Sequence, residues 1–88
     1  MKFGWDKNKE RANIEKHGID FETAKLAFLD LDRLIVPDEK HSKDEVRFIC
    51  IGKVAGRVLT VRFTVRNEVV RIFGAAQWRK QRKLYESQ

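Results

Sequence analysis

The chain has 88 residues, 42% of them hydrophobic and 36% charged, with a formal net charge of +6. That length leaves room for one hydrophobic core, so a single domain over residues 1–88 is expected, and the composition excludes a disordered chain. The uncharged stretches fall far short of the roughly 20 apolar residues a membrane helix needs. Met1–Asp6 lacks the apolar run of a signal peptide, and the lone Cys50 permits no internal disulfide. The reading is a cytoplasmic globular domain with no membrane partner.

Lys2–Trp5 reads as a short strand or extended segment. Asp6 then caps a helix over Lys7–His17, which Gly18 stops, with Lys16 and His17 at its negative end. Only Ala12 and Ile14 supply its apolar face, so this helix packs loosely or rests on a partner. Asp20 caps a second helix in which Phe21, Ala24, Ala27 and Phe28 form a stripe, ended by Asp30-Leu31-Asp32. The period then changes. Arg33–Val36 reads as a strand closed by Pro37-Asp38, and a charged loop, Glu39–Asp44, follows.

Three further strands, Val46–Val54, Arg57–Arg66 and Val69–Ala75, are joined by turns at Ala55-Gly56 and Asn67-Glu68, and a basic helix, Gln77–Glu86, ends the chain. Asn67 suits the left-handed turn; Glu68 is a poorer second residue than glycine. The fold class expected is α+β: two N-terminal helices packed on a four-stranded antiparallel meander, followed by a C-terminal basic helix.

All of the net charge lies at one end. Residues 57–88 carry eight basic groups against Glu68 and Glu86, while the rest is balanced. One basic pole on an otherwise neutral protein predicts a polyanion or an acidic partner. With two-residue hairpin loops, strand alternation puts Val46, Phe48, Cys50, Val61, Phe63, Val65, Val70 and Ile72 on a core face. The opposite face receives Arg47, Arg62, Thr64, Arg66 and Arg71, with Arg47 and Arg71 on either side of Thr64. Ile49 and Ile51 share that face, so the terminal helix is expected to cover part of it.

Like charges on one sheet face are destabilising unless something neutralises them, and guanidinium groups bind phosphate bidentately. The face therefore binds phosphates, or Asp44, Glu45 and Glu68 pair with it in solvent. In the loop before it, His41 or Glu45 could take a proton from a ribose 2′-hydroxyl while an arginine stabilises the phosphorane. Equally, His41 is an ordinary loop residue and Glu45 a partner for Arg47. The run Trp78-Arg79-Lys80-Gln81-Arg82-Lys83 mixes an aromatic with cations, as many nucleic-acid-binding surfaces do, or forms a solvated helix face with Trp78 and Leu84 turned inward. His17 reads as a helix-end residue and Cys50 as an inert core thiol. Two histidines and one cysteine far apart in sequence make no zinc site, and no metal or cofactor is expected.

An ordered set of residues covers nearly the whole chain: Trp5-Asp6, Lys9, Asn13-x-x-Lys16-His17-Gly18-Ile19, Phe28-Leu29-Asp30, Asp38-x-x-His41-Ser42, Glu45-x-Arg47, Val61-x-Phe63-Thr64-x-Arg66 and Arg71-Ile72. It resembles the BrnT-type ribonuclease toxins of bacterial type II toxin–antitoxin pairs. The resemblance implies a RelE-like fold and metal-independent RNA cleavage that blocks translation. It also implies a cognate antitoxin as partner, with operator DNA bound only through the antitoxin complex. Carried over by position, it makes Arg66, Arg71, His41, Glu45 and Arg47 the catalytic candidates, with Arg62, Thr64, Trp78, Arg79, Arg82 and Lys83 for RNA binding. One departure stands out. The family's last strand ends in Ser-Ala-Arg, with that arginine serving the active site, whereas this chain has Gly74-Ala75-Ala76. Either a neighbour such as Arg79 fills in, or the protein is a weaker or differently acting nuclease. The competing readings are a non-catalytic basic module that binds nucleic acid or a partner, and a toxin acting on a protein target as the ParE-type gyrase poisons do.

Overall fold

Two tight turns set the sheet. Ala55 and Gly56 (φ 49° and 81°) and Asn67 and Glu68 (φ 49° and 66°) all adopt left-handed backbone, the geometry of two-residue hairpin loops. The computed structural model describes residues 1–88 and builds from these turns a five-stranded mixed sheet. In chain order it contains β1 (Lys2–Trp5), α1 (Lys7–His17), α2 (Phe21–Ala24) running on as a 3-10 helix over Lys25–Leu29, and β2 (Leu34–Pro37). A 3-10 turn at Glu39–His41, β3 (Phe48–Val54), β4 (Arg57–Arg66), β5 (Val69–Ala76) and α3 (Arg79–Glu86) follow. The spatial strand order is β1-β5-β4-β3-β2.

Four of the strands form the expected antiparallel meander, with Phe48 opposite Phe63 and Thr64 opposite Arg71. The fifth corrects the expected four-stranded sheet: β1 joins as a parallel edge strand beside β5, Gly4 against Arg71. A four-residue segment carries too little alternation to reveal its partner. The second N-terminal helix is also shorter than expected, a single α-turn that tightens into 3-10 geometry. Its stripe nevertheless reaches the core: Phe21, Ala24, Ala27 and Phe28 are all buried. Gly52 of β3 allows the close approach, because a Cβ there would run into the carbonyl oxygen of Ala27.

Uniform alternation breaks in β5. Phe63 opposes Ile72, but Arg62 opposes Gly74, so Phe73 is the extra residue of a β-bulge. The bulge resets the faces: Ala75 joins the core and Gly74 lies beneath Arg62. Val65 and Val46, expected in the core, are 52% and 61% exposed. The helical layer reaches Phe63 through Phe28 and stops short of them.

On the other face α3 covers one half. Tyr85 packs on Ile51 and Val58, beside Leu34 and Ile49, while Leu84 and Trp78 stay partly exposed. The Tyr85 hydroxyl donates to Asp30 Oδ2 at 2.5 Å, and the Lys53 N–H donates to the same oxygen at 2.6 Å, tying α3 to the end of the helical layer. Hydrogen bonding from Tyr85 holds the Asp30 carboxyl below its ordinary range, and the same bond pushes the Tyr85 phenol up to about 12.

Polar contacts hold α1. Its one buried residue is Asn13. Asp6 accepts from the N–H groups of Asn8 and Lys9, and Gly18 (φ 69°) closes the other end. Glu10 accepts from Trp5 Nε1 at 3.2 Å and from the Phe21 N–H at 2.9 Å, bridging β1 and α2. The amide of Asn13 is bonded to Ile19 and to both backbone groups of Ala75. These contacts set α1 along the edge of β5 beyond the reach of β1.

Candidate functional site

The half of the outer sheet face that α3 leaves open is cationic. Arg47, Arg62, Arg66 and Arg71 lie there, as strand alternation requires, but their surroundings differ. Arg66 is neutralised: its Nε and Nη2 donate to Glu45 at 2.9 and 2.6 Å, a bidentate pair. Arg47 approaches the same carboxylate at 3.7 Å. The Arg66 hydrogen bonds hold the Glu45 carboxyl below its ordinary range and raise Arg66 in return. Glu45 is thereby tied to Arg66. The expected pairing of Glu45 with Arg47 is the longer contact; Arg66, on β4, offers the better fork.

Arg47, Arg66 and Lys9 gather around the bulged ring of Phe73, with cation-to-centroid distances of 4.3, 5.7 and 5.5 Å. Thr64 sits in the middle of the arginines but is 2% exposed, and its hydroxyl donates to the Val46 carbonyl at 2.6 Å. It holds the approach to β3 and offers nothing to a ligand. Arg71 lies over β1, where the missing Cβ of Gly4 makes room for its guanidinium.

Arg62, like Arg71 outside any ion pair, differs from the other three in a buried nitrogen without a partner. Its guanidinium lies against Gly74, where a Cβ would stand 2.6 Å from Nη2 and 3.2 Å from Nε. It forms no ion pair, and its Nε is buried without a hydrogen-bond partner. The Trp78 ring centroid lies 6.0 Å from its Cζ. A guanidinium held in this way is a charge lacking its counter-ion.

Two clefts meet at Arg62. One, of about 390 Å³, is lined by Asp38, His41, Ile49, Trp78, Lys80 and Gln81 among others. In it His41 Nδ1 lies 3.0 and 3.1 Å from the two carboxylate oxygens of Asp38. When Nδ1 carries the proton, Asp38 fixes the tautomer and leaves Nε2 free to accept. The other cleft, of about 200 Å³, is lined by Lys9, Ala12, Asn13, Lys16, His17, Arg62 and Phe73.

Arg79 and Arg82 face away from both, in a groove with Val58, Gln77 and Trp78, and Lys83 lies with Leu84 on the β2 side of α3. Arg79, named as a neighbour that could fill in for the arginine absent at the end of β5, lines neither cleft. Ala76 is itself buried there, opposite Thr60. The helix cation that shares a cleft with His41 is Lys80, of the basic run Trp78–Lys83, and Asp38 of the Asp38-x-x-His41 motif lies in the same cleft; Phe73 carried no signal in the sequence. The i, i+4, i+7 spacing of Lys9, Asn13 and Lys16 was the available signal for α1: it sets an edge-binding amide between two lysines.

The site is thus a cationic half of one sheet face on a small α+β domain, with a histidine tethered to a carboxylate and partly exposed aromatic rings beside it. A family model for the ribonuclease toxin BrnT, of type II toxin–antitoxin systems, matches residues 5–82. The chain belongs to that family. No curated protein matches it.

Proposed function

We propose that the chain acts, as one domain, as a metal-independent endoribonuclease that stops translation, with the cleft between Arg62 and the Asp38–His41 pair as its active site. The observation that carries this reading is the unpaired Arg62 guanidinium sharing a cleft with a histidine whose tautomer a carboxylate can fix. His41 Nε2 takes the proton of a ribose 2′-hydroxyl, and the 2′-oxygen attacks the adjacent phosphorus in line. The bond to the 5′-oxygen breaks, leaving a 2′,3′-cyclic phosphate, and the departing oxygen takes a proton from solvent. Arg62 bonds the non-bridging oxygens as charge builds on the phosphorane, the term that usually dominates such catalysis. Arg47 and Arg71 extend the cationic field along the RNA, and the Glu45-clamped Arg66 orders the floor of the site. A cognate antitoxin neutralises the protein, and operator DNA is contacted only through that complex.

Incubation of purified protein with end-labelled RNA, with and without EDTA, tests this directly. Cleavage in chelator that Arg62→Ala slows roughly a hundred-fold or more is expected. RNA binding without cleavage would assign the chain to the non-catalytic alternative. Expression without antitoxin should arrest bacterial growth, and normal growth at high levels of folded protein would count against a toxin.

A further inference from the structure

The cleft on the far side of Arg62 from His41 has no part in the chemistry just described. Its walls come from α1, which Asn13 pins to the edge of β5 so that Lys9, Lys16 and His17 face Arg62 and Phe73. Neither lysine forms an ion pair, and neither does Arg62. Three cations thus converge without a counter-charge, one of them with a buried, unbonded Nε. An anion in the cleft would relieve their repulsion and offset the desolvation of Arg62. Aromatic surface stands beside the charge: Phe73 in the cleft, and Trp78 with His17 edge-on to it at 6.4 Å. Cations flanked by aromatic planes suit a phosphate with a base attached.

We infer that Lys9, Lys16, His17, Arg62 and Phe73 seat the phosphate of a nucleotide flanking the cut, so that α1 is a second RNA-binding wall and Arg62 is shared between adjacent phosphates. The inference rests on the RNA-cleaving reading above, but the seat can be tested without cleavage. The two clefts have only Arg62 in common, which makes their variants separable.

Isotope-labelled full-length protein is titrated with adenosine 3′-monophosphate, inorganic phosphate and adenosine, with shifts followed by NMR and affinities by calorimetry. The monophosphate should perturb the amides of Lys16, His17 and Gly74, and should bind at least about tenfold more tightly than adenosine. The double variant Lys9→Ala/Lys16→Ala should weaken it at least about tenfold, whereas Lys80→Ala, in the other cleft, should change it less than about twofold; both follow from the loss or retention of phosphate-neutralising cations. His41→Gln should abolish cleavage and leave this binding intact. Absence of binding, shifts confined to the His41 side, or undiminished affinity in the double variant would overturn the seat. Inorganic phosphate binding as tightly as the nucleotide would overturn the nucleotide assignment. If His41→Gln still cleaves RNA while the monophosphate binds as described, the catalytic assignment fails and the seat stands.

Discussion

The side-chain amide of Asn13 takes the place of a strand beside Ala75, accepting from its N–H at 3.0 Å and donating to its carbonyl at 3.0 Å. The same amide nitrogen also donates to the Ile19 carbonyl at 2.9 Å. One side chain thereby completes the edge of β5 where β1 ends and fixes the position of the lysines on α1. Because α1 buries almost no apolar surface, little else can do this.

Asn13→Ala should therefore destabilise the protein strongly. It orphans buried backbone groups, each worth about 1–3 kcal/mol, so a total near 3 kcal/mol is expected. For a chain of this size that corresponds to a fall in Tm of more than about 10 °C, measurable by calorimetry. Asn13→Asp should be no better, since a carboxylate can accept from Ala75 but cannot donate to Ala75 or Ile19.

Two glycine-to-alanine variants should separate folding from function. At Gly52 the new methyl meets backbone, the Ala27 carbonyl, so strand and helical layer must part and the cost should exceed about 3 kcal/mol by analogy with severe overpacking. At Gly74 the atoms nearest the new methyl are all of the Arg62 guanidinium, the movable end of a long side chain. Gly74→Ala should fold, with an unchanged circular dichroism spectrum, while lowering RNA cleavage by displacing Arg62. A Gly74→Ala protein as active as the parent would mean that the seating of Arg62 is incidental.

The Tyr85–Asp30 bond gives stability a pH dependence with a sign at each end. Asp30 has a folded pKa below its ordinary value near 3.8, so its contribution is full above that value and is lost as pH falls through the folded pKa. Tyr85 is raised from 10.0 to about 12, so its contribution is full below pH 10 and is lost as pH rises towards 12. Tyr85→Phe should lower Tm across the neutral range, and the gap to the parent should close at both extremes. A gap independent of pH would show that packing of the ring on Ile51 and Val58, rather than the bond, secures α3.

What the sequence revealed and what it concealed divide along physical lines. The cationic face was legible because hydrophobic alternation in β3 and β4 admits only one register, and any slip would bury arginines. Cover by the last helix was legible from Ile49 and Ile51 on the same face. The ranking among the arginines was not legible. It depends on which glycine each guanidinium overlies and on a bulge that one aromatic-glycine step, Phe73-Gly74, creates. The parallel pairing of β1 and the functional face of α1 were hidden for a related reason. Both are set by contacts across more than 60 residues, such as Asn13 with Ala75, that carry no local periodicity.

The sharpest contrast in cleavage should lie between Arg62→Ala and Arg79→Ala. Arg62 has a buried Nε without a partner and lines both clefts, whereas Arg79 is one of several exposed cations and lines neither. Loss of one transition-state donor typically costs roughly a hundred-fold or more in rate. Loss of one replaceable surface cation should weaken RNA binding by less than about tenfold and lower its salt dependence slightly. Both proteins should cleave at rates insensitive to EDTA, because no three His, Cys, Asp or Glu side chains converge to hold an ion. Arg66→Ala should fall between them, since its guanidinium is already engaged by Glu45 and its removal acts by freeing that carboxylate beside Arg47. Single-turnover rates on one labelled RNA would rank the three, and equal, small losses for Arg62 and Arg79 would reduce the whole face to a binding surface.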